Sequence, residues 1–128
     1  MPSKSLQLLL IEDSPSDARY IELMLGRMGK GEVSVTRSER LDSALARFDC
    51  DNFDLVLLDL SLPDSHWIET LATLRRAWSA VPVVVLTGFD DRRLAGHSIQ
   101  HGASAFLVKG KLNADSLKKA IHSALPGD

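Results

Sequence analysis

The chain has 128 residues, 45% of them hydrophobic and 25% charged, the balance of an ordinary soluble domain long enough to bury a core. A net charge of -2 argues against a general polyanion binder, since counterion release needs clustered basic charge, and the pairs Arg75-Arg76, Arg92-Arg93 and Lys118-Lys119 are separated, as on solvated helix faces. No apolar stretch approaches membrane-spanning length, no signal-peptide pattern follows Met1-Pro2-Ser3-Lys4, and a lone cysteine, Cys50, excludes an internal disulfide. The expectation is a cytoplasmic protein of one domain over residues 1–128, folded from about 6 to 125, with no membrane or direct nucleic-acid partner.

Leu6-Gln7-Leu8-Leu9-Leu10-Ile11 is a buried-strand run closed by the acids Glu12-Asp13. Ser14-Pro15-Ser16-Asp17 then reads as a helix start, with Ser14 as N-cap, Pro15 at the first helical position and Asp17 near the positive end of the dipole. Ala18, Ile21, Leu25 and Met28 follow at helical spacing until Gly29-Lys30-Gly31 ends the helix. Val33-Ser34-Val35 alternates as a short strand. Leu41, Ala44, Leu45 and Phe48 mark a second amphipathic helix, with Glu39, Arg40 and Asp42 on its exposed side.

Leu55-Val56-Leu57-Leu58 is too short for a free helix and apolar enough to be buried on both faces, as at the centre of a parallel sheet. Asp59 stands where that strand ends, and Pro63 forces the chain to leave the ladder close behind it. Taken alone, Asp59 reads equally as a residue that ends a strand and starts a turn.

Past Pro63, Trp67, Leu71, Leu74 and Trp78 keep one face of a third helix. Pro82-Val83-Val84-Val85-Leu86 is another buried strand, closed by Thr87-Gly88. Asp90-Asp91 opens a fourth helix carrying Leu94, Ala95, Ser98 and Ile99, which Gly102 stops. Ala105-Phe106-Leu107-Val108 makes the last strand, closed by Lys109-Gly110, and Leu117, Ala120, Ile121 and Ala124 face inward from a fifth helix. This alternation predicts an α/β fold: one parallel sheet with helices on both faces.

A parallel sheet brings all its C-terminal strand ends to one edge. Glu12, Asp13, Asp59, Thr87 and Lys109 therefore converge, although nearly a hundred residues separate the first from the last. Three carboxylates in one crevice repel, and a hard divalent cation among them relieves that cost; Mg2+ is the expected ion, given oxygen ligands. With the metal present, one aspartate can attack phosphorus, while Thr87 and Lys109 meet the phosphoryl oxygens by hydrogen bond and charge.

The motifs Glu12-Asp13, Leu58-Asp59-Leu60-Ser61-Leu62-Pro63, Leu86-Thr87-Gly88 and Gly102-Ala103-Ser104-Ala105-Phe106-Leu107-Val108-Lys109 fall in the order of one family, and over essentially its whole length the chain resembles a receiver domain of the two-component response regulators. The resemblance implies a flavodoxin-like, doubly wound sheet of five parallel strands in the order 2-1-3-4-5 with five helices. It implies phosphoryl transfer to Asp59 from the phosphohistidine of a sensor histidine kinase or a histidine phosphotransfer protein. It implies Mg2+ on Asp13, Asp59 and the backbone carbonyl of Ser61, with Glu12 acting mostly through water. Thr87 and Phe106 match the family's switch pair. Such a domain is a signalling module rather than an enzyme, beyond its own phosphorylation and dephosphorylation. Its output is expected to pass through a downstream effector protein or an output domain not included after Leu125-Pro126-Gly127-Asp128.

Two positions depart from the family. Gly110 stands where a cis proline usually follows the lysine, and a cis peptide without proline costs roughly 3 kcal/mol, which leaves the Lys109–Gly110 geometry open. Trp67 stands where the family favours glycine, and it matches the inward stripe of its helix, as a packed aromatic would.

Rival functions are weaker. A flavodoxin needs a hydroxyl- and glycine-rich cradle after the first strand, where Glu12-Asp13 would repel the phosphate of FMN. A phosphatase with an aspartyl nucleophile needs a second carboxylate where Ser61 stands. A receiver-like interaction module that no longer takes phosphate is the stronger alternative, although Asp59, Thr87 and Lys109 speak against it. His97 and His101, four apart on the predicted fourth helix, lack further zinc ligands and read as solvent-facing, and His66 and His122 lack partners.

Overall fold

The computed structural model describes residues 5–27, 33–47, 52–62 and 65–126. Every residue of β3 (Leu55–Asp59) and of β6 (Val83–Thr87) is buried, as happens in a sheet covered on both faces. β1 (Leu6–Ile11) pairs with β2 (Val33–Ser38) and with β3, while β6 pairs with β3 and with β7 (Ala105–Val108). All four pairings are parallel, and the order is β2-β1-β3-β6-β7, the flavodoxin-like 2-1-3-4-5 when only the strands of this sheet are counted. The intervening numbers belong to a short antiparallel ladder of β4 (Ser61–Leu62) and β5 (Ser65–His66), directly after Asp59, which the sequence reading left as a turn.

Successive side chains of a strand point to opposite faces, so the apolar runs feed two cores. Leu9, Ile11, Val56, Leu58, Val83 and Val85 pack against Leu41 and Ala44 of α2 (Leu41–Arg47), Leu71 and Leu74 of α3 (Trp67–Ala77) and Leu94 of α4 (Arg92–Gln100). On the other face, Leu8, Leu10, Leu55, Leu57, Val84 and Leu86 meet Ala18, Ile21 and Leu25 of α1 (Pro15–Gly26) and Leu117 and Ile121 of α5 (Ala114–Ala124). Each fully buried leucine contributes roughly 1.5–3 kcal/mol, so the sheet's centre supplies much of the fold's hydrophobic stabilisation.

Caps set where the helices begin. Ser14 Oγ accepts from Asp17 N at 3.3 Å with Pro15 in the first turn, Asp91 Oδ1 accepts from Arg93 N and Leu94 N, and Asn113 forms a capping box with Ser116. Gly102, at φ +100°, follows the last residues of α4 in the left-handed region that glycine tolerates. Gly29-Lys30-Gly31 lies outside the described residues, as do Met28, Phe48, Cys50 and Pro63, and α1 closes at Arg27.

Several expectations need correction. β2 runs six residues, because pairing with β1 extends through Ile11↔Ser38, beyond the alternating segment. The inward face of α1 includes Met24, and Ile99 of α4 is 51% exposed. Arg75 is not a solvated helix charge: its guanidinium donates to the carbonyls of Val81 and Ser79 at 2.5 and 2.6 Å, tying down the chain after α3. Trp67 is 43% exposed rather than inward, because it heads α3 at φ +55° and lies outside the helical periodicity. That left-handed backbone is one that glycine adopts far more readily than tryptophan. His97, His101 and His122 are exposed, and Lys109–Gly110 is trans, as are all peptide bonds among the described residues.

Candidate functional site

β1 and β3 are neighbours in register, Ile11 beside Leu58, so the residues just past their ends lie side by side. This places Glu12, Asp13 and Asp59 together: one carboxylate oxygen from each lies within 4.8 Å of the others. Glu12 and Asp59 are buried, with 0% and 3% of their surface exposed, while Asp13 opens to solvent. A surface depression lies away from these acids, near the opposite end of the strands around Leu6, Phe53 and Pro82.

Lys109 follows β7 and reaches across the edge into these acids. Its Nζ lies 2.5 Å from Glu12 Oε1, 3.0 Å from Asp17 Oδ2 and 3.5 Å from Asp59 Oδ2. Glu12 Oε1 is buried and has no hydrogen bond of good geometry, leaving the ammonium as its compensating contact. Glu12 Oε2 accepts from Ser14 N at 3.2 Å, and Asp59 Oδ1 accepts from Ser61 N at 3.0 Å.

Burial dominates the protonation of this cluster. It pushes the Glu12 carboxyl up to about 7, helped by the adjacent Asp59 carboxyl and opposed by the Lys109 ammonium. Asp59 is raised as well, chiefly by burial, with Glu12, the Ser61 N–H and Lys109 working the other way. Burial alone would lower the Lys109 ammonium, but contact with Glu12, Asp59 and Asp17 outweighs it and leaves Lys109 raised. An oxygen-only donor set with an underbonded buried oxygen suits a hard divalent cation, so the residues fit Mg2+.

Thr87, the last residue of β6, is 3% exposed, and its Oγ1 accepts from Phe89 N at 3.2 Å. Phe106 sits on the neighbouring strand opposite Val85 and is half-buried against the core shared by Val83, Val85 and Leu94. Ser61 is exposed on β4, its backbone N–H turned to Asp59. All five residues read from the strand ends thus share one edge of the sheet, and Phe106 lies one strand away from Thr87.

Three contacts at the site went unread in the sequence. Asp17, noted only for its place near the helix dipole, is a partner of Lys109. Arg37 of β2 donates from Nε to the Glu12 carbonyl at 3.1 Å and from Nη2 to the Asp13 carbonyl at 3.2 Å. Trp67 stacks at a tilt on Phe89 with ring centroids 5.3 Å apart, and its backbone N–H donates to the Leu60 carbonyl at 2.6 Å. The glycine expected at position 67 was a signal for the strained backbone, but neither Arg37 nor Phe89 carried a motif.

Comparison with known proteins agrees with this arrangement. The family model described as response regulator receiver domain matches residues 8–122. The chain is 34% identical over 122 residues to the KDP operon transcriptional regulatory protein KdpE of Escherichia coli, covering 91% of this chain and 52% of that protein. It is 32% identical over 120 residues to the cell cycle transcriptional regulator CtrA of Caulobacter vibrioides, covering 94% of this chain and 50% of that one. The chain therefore spans about half the length of these curated relatives. Among solved structures, the signal receiver domain of a putative Luxo repressor protein from Vibrio parahaemolyticus is similar at TM-score 0.79 and 28% identity, over 92% of this chain and 88% of that one. A response regulator receiver domain protein from Clostridium thermocellum is similar at TM-score 0.79 and 25% identity, over 93% of each chain. With strand order, strand-end residues and the match across residues 8–122 in agreement, the chain belongs to the response regulator receiver domain family.

Proposed function

We propose that this receiver domain accepts a phosphoryl group on Asp59 from a phosphohistidine, carried by a sensor histidine kinase or a histidine phosphotransfer protein. The observation that carries the reading is the Lys109 ammonium among Glu12, Asp17 and Asp59, beside three acids close enough to share one ion. Asp13, Asp59, the Ser61 carbonyl and Glu12 would hold Mg2+, which supplies positive charge that lets an anionic donor approach and stabilises charge on the transferring group.

This chain's own residues do the rest. An ionised Asp59 oxygen forms the new O–P bond as the P–N bond to the donor imidazole breaks, and the electron pair leaves with the nitrogen. The Ser61 N–H and Lys109 oppose the effect of burial and favour that ionised form. The Thr87 hydroxyl donates a hydrogen bond to the phosphoryl oxygens, and the Lys109 ammonium pairs with their negative charge. The domain is a signalling module, and the signal leaves through Thr87 and Phe106 to a partner protein or an output domain.

Intact-mass measurement of wild type and Asp59→Asn with acetyl phosphate, each with Mg2+ and with a chelator, tests the assignment. One phosphoryl adduct is expected on wild type with Mg2+ alone. Equal modification of both proteins would sink it.

A further inference from the structure

Arg37 stands on β2 beside Leu10, one strand away from the acids, and its side chain is 25% exposed. Its guanidinium spans two successive carbonyls, Glu12 at 3.1 Å and Asp13 at 3.2 Å, in the segment that carries two of the three acids. The same segment is tied to β2 a second time by Glu12 N donating to the Ser38 carbonyl at 2.9 Å. The planar fork meets the two carbonyls with two separate nitrogens, a geometry that the compact ammonium of a lysine does not reproduce. The ion pair of Arg37 with Glu39 Oε1 at 3.5 Å involves an exposed side chain and adds little.

We infer that Arg37 is a positioning residue of the site, fixing the peptide planes of residues 12 and 13 so that their side chains present to one ion. The inference rests on the reading that these acids bind Mg2+. Two roles for the guanidinium predict opposite signs. As a nearby positive charge it would repel a cation, so its removal would tighten Mg2+ binding. As a clamp it removes the entropy of the segment before the ion arrives, so its removal weakens binding, typically by tenfold or more where a supporting contact to a ligand is lost.

The test titrates Mg2+ into chelator-stripped wild type, Arg37→Ala and Arg37→Lys by calorimetry, and records amide spectra and metal-free melting of each. The clamp predicts at least about tenfold weaker binding in Arg37→Ala and a smaller loss in Arg37→Lys, with metal-free amide shifts confined to the neighbourhood of Glu12 to Ser14. Should Arg37→Ala fail to fold, Arg37→Lys decides alone, since it keeps charge and stem and still must bind more weakly. Unchanged or tighter binding in the folded variants overturns the positioning role. Shifts spread through both cores would reduce Arg37 to a stability residue and overturn it too. Absence of Mg2+ binding in wild type overturns the metal reading itself, and this inference with it.

Discussion

Lys109 leans on Glu12: its ammonium stands 2.5 Å from Glu12 Oε1 but 3.5 Å from Asp59 Oδ2. It serves the metal-free site as counter-ion to a carboxyl with 0% exposure. Removing one member of a buried pair leaves the other uncompensated, at a cost of about 3 kcal/mol. Above about pH 7, where Glu12 is ionised, Lys109→Ala is therefore expected to lose up to about that much stability to urea in a chelator, to recover part of it on adding Mg2+, and to lose its spectral response to phosphorylation. Equal urea midpoints for variant and wild type in chelator would rule out the counter-ion role.

The pH dependence follows from Glu12. Its folded-state value near 7 lies above the ordinary 4.5, so the folded protein holds a proton that the unfolded chain releases. The stability tied to this group is fully present below about 4.5 and is lost as pH rises through about 7. In chelator, melting temperature should fall across that window, and Glu12→Gln should flatten the slope. Mg2+ affinity should rise across the same window, because the proton must leave. A wild-type melting curve that is flat with pH there would contradict the buried carboxyl.

Trp67 holds a left-handed backbone that costs a non-glycine residue roughly 1–2 kcal/mol, while its stacking on Phe89 returns about 0.5–1.5 kcal/mol. Trp67→Ala keeps the strain and loses the stacking; Trp67→Gly loses both. Urea unfolding should therefore place Trp67→Gly about 1 kcal/mol above Trp67→Ala, with wild type close to the glycine variant. The reverse order would mean that residue 67 is unstrained in solution.

Beryllofluoride, a phosphoryl mimic, should shift amide signals around Asp59 and also along α4, β7 and the start of α5. The Thr87 hydroxyl oxygen already accepts from Phe89 N, so donating its proton inward draws on the same short loop. Phe106 is half-buried against the core, and a change of its rotamer is the expected response. Phe106→Ala should leave Asp59 phosphorylation intact and weaken partner binding several-fold. Shifts limited to Glu12, Asp13 and Asp59 would send the output through another face.

Much of this was legible because burial on both faces writes itself as uninterrupted apolar runs. Leu55 to Leu58 and Val83 to Leu86 admit no other place, and parallel pairing then forces Asp59, Thr87 and Lys109 to one edge. Asp17 and Arg37 were not legible, because their roles depend on neighbours that no local pattern specifies: Asp17 on the reach of a lysine 92 residues later, Arg37 on β2 lying beside β1. Trp67 was misread because helical spacing was extended back to a residue whose φ is positive, and the exposed Phe89 beside it left no periodic trace.

The strand order also divides the site into two electrical halves. β1 and β3 deliver the acids, and β6 and β7 deliver the hydroxyl and the ammonium. The Lys109 ammonium crosses that divide to lie 2.5 Å from Glu12 Oε1, so the opposite charges meet inside the site. The acid flank is anchored by Arg37 and by pairing on both sides of β1, whereas β7 is an edge strand whose residues are all only half-buried. Phe106 therefore stands on the least buried of the four strands that reach the site.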